Sequence, residues 1–543
     1  MTNSDSEWGG PLDEPVQGIE LAGWALRPEQ VALLARGTTA RIEIAPEALA
    51  HAAQAAEAAE RIAARQPVYG RTTGVGANRT QQVEDGDLDH GLRLLRSHAG
   101  GIGRTVSPTL TRAMLAIRAN QLLAGGSGLR PEIIETIVAA LNANTLPQIH
   151  EYGGLGTGDL TAGAELGLAV AGERPWVRST DESDQGHSNG STSSSNNNGS
   201  NGSEPAKDSE HENARRTGPA PVHVTPGDAL ALMSSSALTI GRACLAWHDT
   251  SLLMHAAHAV AALTFLSLSG STEPFAETVH ARRPYPGSIH SAAILRALLA
   301  GQAIKAARIQ DPYALRCLPQ IHGAAFSALD AVERFLEIEV NVAAENPLVS
   351  VADDAVYHHG GFHQAQLTQA LDALNLALLS VGQLSLARLN MLFQPEFTGL
   401  RPFLAYGAPA SSGVMILENA AHDALSEVRN AAMPAGLGHA TLSRGVEDHS
   451  PFTSQSARQT ERATEALRLV LATELVGAVR TLRLREIEAK AGTMLGEIYA
   501  LVDVLDTDTA DRSSSADVAL AGELLQGLAT AVAAVAVGER SEP

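Results

Sequence analysis

Two long segments of this chain carry apolar side chains at helical spacing, and they limit its possible folds more than any other feature. In the segment Ala463 to Leu482 the apolar face consists of Leu467, Val470, Leu471, Leu475, Ala478, Val479 and Leu482. The segment Gln364 to Met391 has the same spacing, and both exceed the usual length of a globular helix. Faces this apolar must be covered, so the pattern predicts a bundle of long helices that also packs against other subunits.

The composition suits such a bundle. The chain has 543 residues, of which 44% are hydrophobic and only 4% aromatic. Its core must therefore be built largely from Ala, Leu and Val, which allow helices to pack closely. Before the bundle the pattern mixes strand-like pieces, such as Ala40 to Ile44, with shorter helices. The predicted fold class is mainly α, with a long central bundle and a smaller mixed N-terminal domain.

Local composition sets the predicted domain limits. Residues 1–25 are predicted to be poorly ordered, and 26–178 to form the N-terminal domain. Residues 179–218 contain almost no apolar side chains and are predicted to be a disordered insertion, because they cannot offset the entropy lost on ordering. A hydrophilic linker between independent domains is the alternative. Residues 219–536 are predicted to form the central and C-terminal helical bundle.

Charge and cysteine content narrow the range of partners. The chain has 39 basic and 60 acidic residues, a net charge of -21, which disfavours nucleic acid and anionic membranes. Cys244 and Cys317 offer neither a disulfide framework nor the spacing of a metal site. The N-terminus is polar and lacks a signal pattern. We therefore expect a cytoplasmic protein without a resident metal.

One stretch of the chain is apolar enough to be considered as a membrane span. The stretch from Leu252 to Gly270 is the most apolar in the chain, but it contains His255 and His258. Ionisable side chains are costly in lipid, so this stretch predicts a buried core helix rather than a membrane span.

The first of two glycine-rich loops has the sequence YGRTTGVGANR, from Tyr69 to Arg79. Its three glycines permit a tight or mobile turn. Its G-V-G fragment is not a dinucleotide-binding fingerprint, because no strand-then-helix unit with the glycine required at the third position surrounds it. Tyr69 is either a packing aromatic or a catalytic base, and the second role requires a lowered pKa or a cationic neighbour.

The second loop, GGLGTGDLTAGAELGLAVAGE, runs from Gly153 into an apolar helix. On these residues alone, Thr157 or Asp159 is best explained as the N-cap of that helix. A second interpretation concerns the backbone. If the loop is bent sharply, the nitrogen of Gly158 can attack the carbonyl carbon of Gly156, and glycines allow such a bend.

Several blocks, in order between about residues 60 and 485, resemble the histidine/phenylalanine ammonia-lyase family. YGRTTGVG resembles the family's Y-G-x-N-T-G-F-G, and GLGTGDL resembles G-x-x-A-S-G-D-L. QDPYALRCLPQIHG, from Gln310 to Gly323, matches Q-D-x-Y-S-x-R-C-x-P-Q-V-x-G almost residue for residue and is the most specific block. AENPLV, GGFH, TGLRPFL, SSGVMI and VEDH resemble further family motifs.

The resemblance implies an ammonia-lyase/fumarase-like architecture and a homotetramer whose active sites combine several subunits. It also implies methylidene-imidazolone, an electrophile that the family forms from its own Ala-Ser-Gly triad and uses to expel ammonia from an α-amino acid. The matching triad is Gly156, Thr157 and Gly158. By motif, Tyr69 is the base, Tyr313 a second tyrosine beside the electrophile, and Arg316 the partner of the substrate carboxylate. Gln310, Asn346 and Phe362 fall on residues that line the pocket.

Two residues point to the histidine-specific branch. His98 lies in SHAGGIG, which resembles the Ser-His-Ala-x-Gly of that branch, and Glu447 in VEDH matches a glutamate used around the imidazole. A carboxylate beside an imidazole can orient it or exchange a proton with it. The alternatives are a structural histidine for His98 and a buried partner of an arginine for Glu447.

Three departures cluster around the triad. Dehydration of Thr157 would leave a methyl on the exocyclic carbon and hinder attack there. Ser234, in LMSSSA, replaces an asparagine that contacts the prosthetic group, and it is shorter by an amide. The third departure is a set of motif changes at Thr72, Val446, Ser411 and Val414.

Three interpretations remain open. The first is an ammonia-lyase or aminomutase acting on histidine or a related amino acid, with a modified electrophile. The second is an enzyme of specialised metabolism that is independent of that electrophile, in which Tyr69, Tyr313 and Glu447 perform acid–base elimination or an aminomutase-like rearrangement. The third is an inactive homologue that binds a ligand or a partner.

Overall fold

The fold is that of a computed structural model, which describes residues 18–37, 41–84, 86–178 and 218–538. Apart from Gly218, the insertion predicted at 179–218 lies outside the described residues. The same is true of residues 1–17 within the predicted N-terminal segment.

Short helices and two-stranded sheets make up the region before the insertion. In chain order the elements are β1 (Ile19–Leu21), α1 (Pro28–Arg36), β2 (Ile42–Ile44), α2 (Pro46–Ala63), α3 (His90–His98), β3 (Ile102–Thr105), α4 (Pro108–Leu123), α5 (Pro131–Asn142), β4 (Thr145–Pro147), β5 (His150–Tyr152), α6 (Leu160–Val170) and β6 (Trp176–Arg178). β1 pairs with β2 in parallel, whereas β3–β5 and β4–β6 are antiparallel pairs.

The predicted limit of the poorly ordered N-terminus was wrong for residues 18–25. β1 forms a ladder with β2, and Leu21 and Leu26 on either side of residue 25 are buried in the core. The two strands are about 20 residues apart in sequence, so no local pattern reveals their pairing.

The region after the insertion is almost entirely helical. Its elements are α7 (Pro226–Met233), α8 (Ala237–Leu268), α9 (Glu277–Ala281), α10 (Pro286–Leu299), α11 (Tyr313–Arg316), α12 (Leu318–Glu339), β7 (Leu348–Ser350), β8 (Ala355–Tyr357), α13 (Ala365–Leu392), α14 (Pro395–Thr398), α15 (Ile416–Ala431), α16 (Thr453–Leu484), α17 (Met494–Val502) and α18 (Ser515–Gly538). Helix α16 packs against α8, α13 and α15. The predicted mainly α fold class is confirmed.

The apolar stretch with two histidines lies inside α8. By length and composition alone, three segments could cross a membrane: Pro226–Leu268, Ala365–Leu392 and Ser515–Ala534. In the first, 89% of the most apolar window is buried within the protein, as expected for a core helix. Burial lowers the pKa of His258 to about 3, so its ring is neutral at pH 7. Its Nδ1 donates to the Met254 carbonyl, and its Nε2 accepts from Ser291 Oγ, both at 2.8 Å.

A buried ion pair joins the three longest helices. Arg388 of α13 donates from Nε and Nη2 to the two carboxylate oxygens of Glu474 in α16, at 2.6 and 2.8 Å. Thr264 of α8 and Ser385 of α13 donate their hydroxyls to the same carboxylate. Both charged side chains are completely buried. Such a pair is stable only when every partner is present, since a single buried charge would be uncompensated.

We expect Glu474→Gln to lower the free energy of unfolding by about 3 to 5 kcal/mol, because it leaves the Arg388 charge buried without its partner. The measurement is urea unfolding followed by circular dichroism at fixed protein concentration. Glu465→Gln on the same helix is the matched control. Glu465 pairs with Arg468 at the surface, and the loss of an exposed pair costs about 1 kcal/mol or less. Equal effects of the two variants would contradict the role of the buried pair.

Candidate active site

The loop containing Gly156, Thr157 and Gly158 is sharply bent. Gly156 has φ +88° and Gly158 has φ +129°, conformations that favour glycine. A Cβ built on Gly156 would lie 2.4 Å from Thr453 Oγ1 and 2.8 Å from Pro451 Cγ. The space beside the first triad residue is therefore already filled by Thr453, and a side chain would fit there only if these neighbours moved.

Three long helices begin at this loop. The Gly156 carbonyl accepts a hydrogen bond from the backbone N–H of Gln364, the N-cap of α13, at 3.3 Å. The Leu155 carbonyl accepts from Phe452, the N-cap of α16, at 2.7 Å. Asp159 accepts from the N–H of Thr239 in the first turn of α8, at 2.8 Å. The positive ends of three helix dipoles thus face the loop, an arrangement that stabilises negative charge developing there.

Asp159 occupies the N-cap position of α6, as predicted, but its carboxylate does not cap that helix. It accepts instead from the backbone N–H and the hydroxyl of Thr239, at 2.8 and 2.9 Å. Its own N–H donates to the Ser235 carbonyl at 2.7 Å. Burial raises the pKa of Asp159, and its hydrogen bonds to Thr239 oppose this rise. Asp159 therefore ties the triad loop to the start of α8.

Tyr69 and Glu447 lie on two loops that pack against each other. The backbone N–H of Ala77 donates to Ser443 Oγ at 3.0 Å and joins the loops. The N–H of Gly76 donates to Tyr69 Oη at 2.7 Å. Burial raises the pKa of Tyr69; the hydrogen bond from Gly76 lowers it, the charge of Glu447 raises it further, and Arg79 opposes that rise. The two residues assigned to acid–base chemistry are close enough to influence each other electrostatically.

Ser234 and Asn346 are in direct contact. Ser234 Oγ accepts a hydrogen bond from the Asn346 N–H at 3.1 Å. Asn346 Oδ1 in turn accepts from the N–H of His359 at 3.0 Å, and the rings of His359 and Phe362 are 6.4 Å apart. These contacts bring the predicted pocket residues Ser234, Asn346 and Phe362 into one group.

Two histidine contacts join this group to the other loops. The backbone N–H of Tyr69 donates to His358 Nε2 at 3.4 Å, and the two rings meet edge to face. His363 Nε2 and His449 Nδ1 are 3.1 Å apart and connect the GGFH and VEDH motifs. The triad, Tyr69, Glu447, Ser234, Asn346 and Phe362 therefore lie on loops that contact one another within a single chain.

A buried ion pair supports the group. Arg118 of α4 and Glu345 are 2% and 1% exposed, and Arg118 Nη1 donates to Glu345 Oε1 at 2.8 Å. Arg118 also donates to the carbonyls of Ala231 and Leu232, at the end of α7. The pair thus holds Ser234, which follows α7, against Asn346, which follows Glu345. Glu345 lies in the AENPLV motif, but the sequence indicates its partner only by an arginine within the apolar pattern of α4.

Gln310, Tyr313 and Arg316 form a separate group. The Arg316 guanidinium lies over the Tyr313 ring, with Cζ 4.4 Å from its centroid. Arg316 Nε donates to the Asp311 carbonyl at 2.9 Å. With the side-chain amide of Gln310 turned so that its oxygen faces Arg316, that oxygen accepts from both terminal nitrogens at 2.9 and 3.1 Å. Among the described residues, the hydrogen bonds and ring contacts of Arg316 all fall within 310–313, and Tyr313 is 68% exposed.

His98 is bonded within its own helix. Its Nδ1 lies 2.9 Å from the Leu94 carbonyl and 3.0 Å from Ser97 Oγ, and its side chain is partly exposed. These contacts suit the structural alternative for His98 and leave its Nε2 free of any hydrogen bond within the described part of the chain. Nor do the described ranges contain three His, Cys, Asp or Glu side chains grouped to hold a metal ion.

Comparisons with known proteins establish the family of the chain. Residues 26–503 match the model of the family described as aromatic amino acid lyase. The histidine ammonia-lyase of Geobacillus kaustophilus is 33% identical over 458 residues, covering 83% of this chain and 86% of that protein.

Solved structures extend the likeness to the whole fold. The histidine ammonia-lyase of Trypanosoma cruzi superposes with a TM-score of 0.82 and 27% identity, covering 95% of each chain. The ergothionase of Treponema denticola, an ergothioneine-degrading enzyme, superposes with a TM-score of 0.83, covering 94% of this chain and 99% of that one. At 22% identity, this second likeness concerns the fold alone. The predicted resemblance is confirmed, and the chain belongs to the aromatic amino acid lyase family.

Proposed function

We propose that the chain is a carbon–nitrogen lyase that eliminates ammonia from histidine or a related amino acid, with an electrophile formed from Gly156, Thr157 and Gly158. The observation that carries this proposal is the meeting of three helix N-termini at the bent triad loop. Tyr69 and Glu447 lie on neighbouring loops of the same chain. The histidine ammonia-lyases among its relatives support histidine as the first substrate to test.

The loop fits the methylidene-imidazolone group. Both glycines of the triad have the positive φ that a tight backbone closure requires. The Gly156 carbonyl, which reacts when the ring closes, accepts a hydrogen bond from the N–H of Gln364. When formed, the group supplies an electrophile that activates the substrate's amino group as a leaving group. Thr157 adds a methyl to its exocyclic carbon, so crowding there should favour small or planar substrates.

The remaining roles belong to side chains. Tyr69 Oη, held by the Gly76 N–H, is the proposed acceptor of the substrate's β-proton. Glu447 is the proposed partner of an imidazole side chain, since a carboxylate orients imidazole and fixes its tautomer. Arg316 is the proposed anchor of the substrate carboxylate, for which a planar bidentate donor is suited.

We further propose a cytoplasmic homotetramer in which the segment 310–316 of one subunit completes the site of another. The support is that the group around Arg316 makes no hydrogen bond or ring contact with the loops of Tyr69 and Glu447 within one described chain, although both are proposed to act on the same substrate. Arg316 bonds only within its own segment among the described residues, while Tyr313 beside it is largely exposed. The exposed Tyr313 and the half-buried Arg316 of one subunit can then face the loops of Tyr69 and Glu447 from another.

A second candidate is an elimination that needs no internal electrophile. The observation in its favour is at Ser234, whose hydroxyl is engaged by the Asn346 N–H and is shorter than the asparagine of the family motif. A quaternary amino group leaves without electrophilic help, so a base and a bound carboxylate suffice for such a substrate. Ergothioneine, the compound degraded by one structural neighbour, therefore belongs in the substrate panel beside histidine.

Intact mass and peptide mapping across Gly153 to Leu160 should show a loss of about 36 Da, the mass of two waters, if the triad has cyclised. The purified protein should then release ammonia from histidine. Thr157→Ala, which has no hydroxyl to lose as the second water, is the matched control and should not release ammonia. An unmodified mass with release of an amine from ergothioneine would favour the second candidate, and no release from either substrate would contradict both.

The acid limb of the pH–rate profile should report Tyr69. Because burial holds the pKa of Tyr69 above its ordinary value, the phenolate is scarce at neutral pH, and kcat/KM should rise about tenfold per pH unit below that pKa. Glu447→Gln removes a charge that raises this pKa and should move it downwards.

Ultraviolet titration of tyrosinate, with Tyr69→Phe as the reference, measures this shift independently of turnover. Asp448→Asn changes the neighbouring carboxylate and should leave the titration of Tyr69 in place. An unchanged pKa in Glu447→Gln would show that the two loops do not interact in solution.

Mixed tetramers test the shared site. Tyr69→Phe and Arg316→Ala should each be nearly inactive alone. If the two residues serve a site from different subunits, co-expression should restore activity at about a quarter of the sites in a random mixture. Two variants that both alter Tyr69 or its own loop, such as Tyr69→Phe with Gly76→Ala, provide a control pair that should not complement. No recovery in a stable mixed tetramer would mean that one subunit supplies both residues.

A further inference from the structure

Thr453 occupies the space that the side chain of the first triad residue would need. It is completely buried at the start of α16. A Cβ added to Gly156 would come within 2.4 Å of its Oγ1 and 2.8 Å of its backbone nitrogen. Real Cβ atoms do not approach other atoms so closely, so an alanine at 156 requires Thr453 to move. Gly156, a departure from the family's alanine, is thus matched by the residue packed against it.

The hydroxyl of Thr453 also joins the two helices that begin at the triad loop. Thr453 Oγ1 lies 2.7 Å from the Thr368 hydroxyl and 3.4 Å from the Gln364 carbonyl, which accepts from it. Thr368 Oγ1 donates to that same carbonyl at 3.1 Å. This network holds Gln364, whose N–H donates to the Gly156 carbonyl, in register with Phe452, whose N–H donates to the Leu155 carbonyl.

We propose that Thr453 is a positioning residue for closure of the triad into a ring. Its side chain replaces the missing methyl of the first triad residue and keeps the Gly156 carbonyl from turning into that space. Its hydroxyl holds the Gln364 N–H on the carbonyl oxygen, where negative charge develops. The inference rests on the proposed internal electrophile and adds the residue that directs its formation.

The closure is a double dehydration without any redox change. The nitrogen of Gly158 forms a bond to the carbonyl carbon of Gly156. The Gly156 oxygen leaves as water with the amide protons of Gly158 and Thr157, which creates a carbon–nitrogen double bond to the Thr157 nitrogen. Thr157 then loses its Cα proton and its hydroxyl as a second water, leaving an exocyclic double bond that bears a methyl.

Two variants separate the hydroxyl of Thr453 from its bulk. Thr453→Val keeps the volume and loses the hydrogen bonds, whereas Thr453→Ser keeps the hydroxyl and loses the methyl. The measurement is the fraction of the triad peptide that is lighter by about 36 Da, followed over time in folded, purified protein with unchanged circular dichroism. We expect Thr453→Ser to process like the parent and Thr453→Val to process about tenfold more slowly. If Thr453 only filled space, Thr453→Val would be processed like the parent and Thr453→Ser more slowly.

Substitutions at positions 156 and 453 test the steric role of Thr453. Gly156→Ala alone should block processing, because its Cβ meets the Thr453 hydroxyl. Combining it with Thr453→Gly removes the closest contact and should restore a small processed fraction, although Pro451 Cγ and the nitrogen of residue 453 still lie 2.8 Å from the new Cβ and φ at residue 156 disfavours alanine. Normal processing in Gly156→Ala would overturn the steric role, and processing of Thr453→Val at the parental rate would overturn the hydroxyl's role.

The parent protein separates this inference from the proposed function. A parent protein that releases amine with an unmodified mass would overturn the inference and leave a lyase of the second kind. A parent protein that is processed but releases nothing from any amino acid would contradict the proposed function and leave the role of Thr453 intact.

Discussion

The buried pair of Arg388 and Glu474 is the interaction on which the rest of the structure depends. Two charges without access to water are tolerated only when they are paired and hydrogen-bonded, and here hydroxyls from α8 and α13 also donate to the carboxylate. A slip of one turn, about 5.4 Å, would separate the pair, so the pair sets the relative register of the three helices. From this point each helix runs back about 20 to 27 residues, roughly 30 to 40 Å, to its N-terminus at the triad loop. Because their relative register is fixed, α8, α13 and α16 all begin at the triad loop.

Two of the family departures, Gly156 and Ser234, lie near those N-termini, and each contacts a specific neighbour. Gly156 leaves room that Thr453 fills, and Ser234 is bonded to Asn346, which is itself held through Glu345 and Arg118. Two buried atoms beside these changes, Glu345 Oε2 and Gln364 Oε1, have no hydrogen-bond partner among the described residues. The match between Gly156 and Thr453 nevertheless supports the proposal of a site adapted to a different electrophile or substrate.

The sequence predicted what depends on local periodicity and on motifs. The segment Gln364 to Met391 became α13, shifted by one residue. The glycine loops were recognised because positions with positive φ are usually occupied by glycine, which is visible in the sequence. Contacts between distant segments have no comparable local signal. The partner of Asp159 is Thr239, 80 positions away, and Arg118 finds Glu345 across 227 positions. A hydrogen bond of this kind depends on tertiary geometry, which a single sequence does not encode in any local pattern.

The histidines within the bundle have a consequence for the conditions in which the chain stays folded. His258 is neutral in the fold because its pKa is about 3, and burial also lowers the pKa of His255 and His322. An unfolded chain takes up protons at such imidazoles from about pH 6.5 downwards, while the folded chain does not. Acidification to about pH 3 therefore pulls the equilibrium towards the unfolded state, by about 1.4 kcal/mol per pH unit for His258. We therefore expect the fold to lose stability as the pH falls below about 6.5, whereas the phenol of Tyr69 ionises more readily as the pH rises.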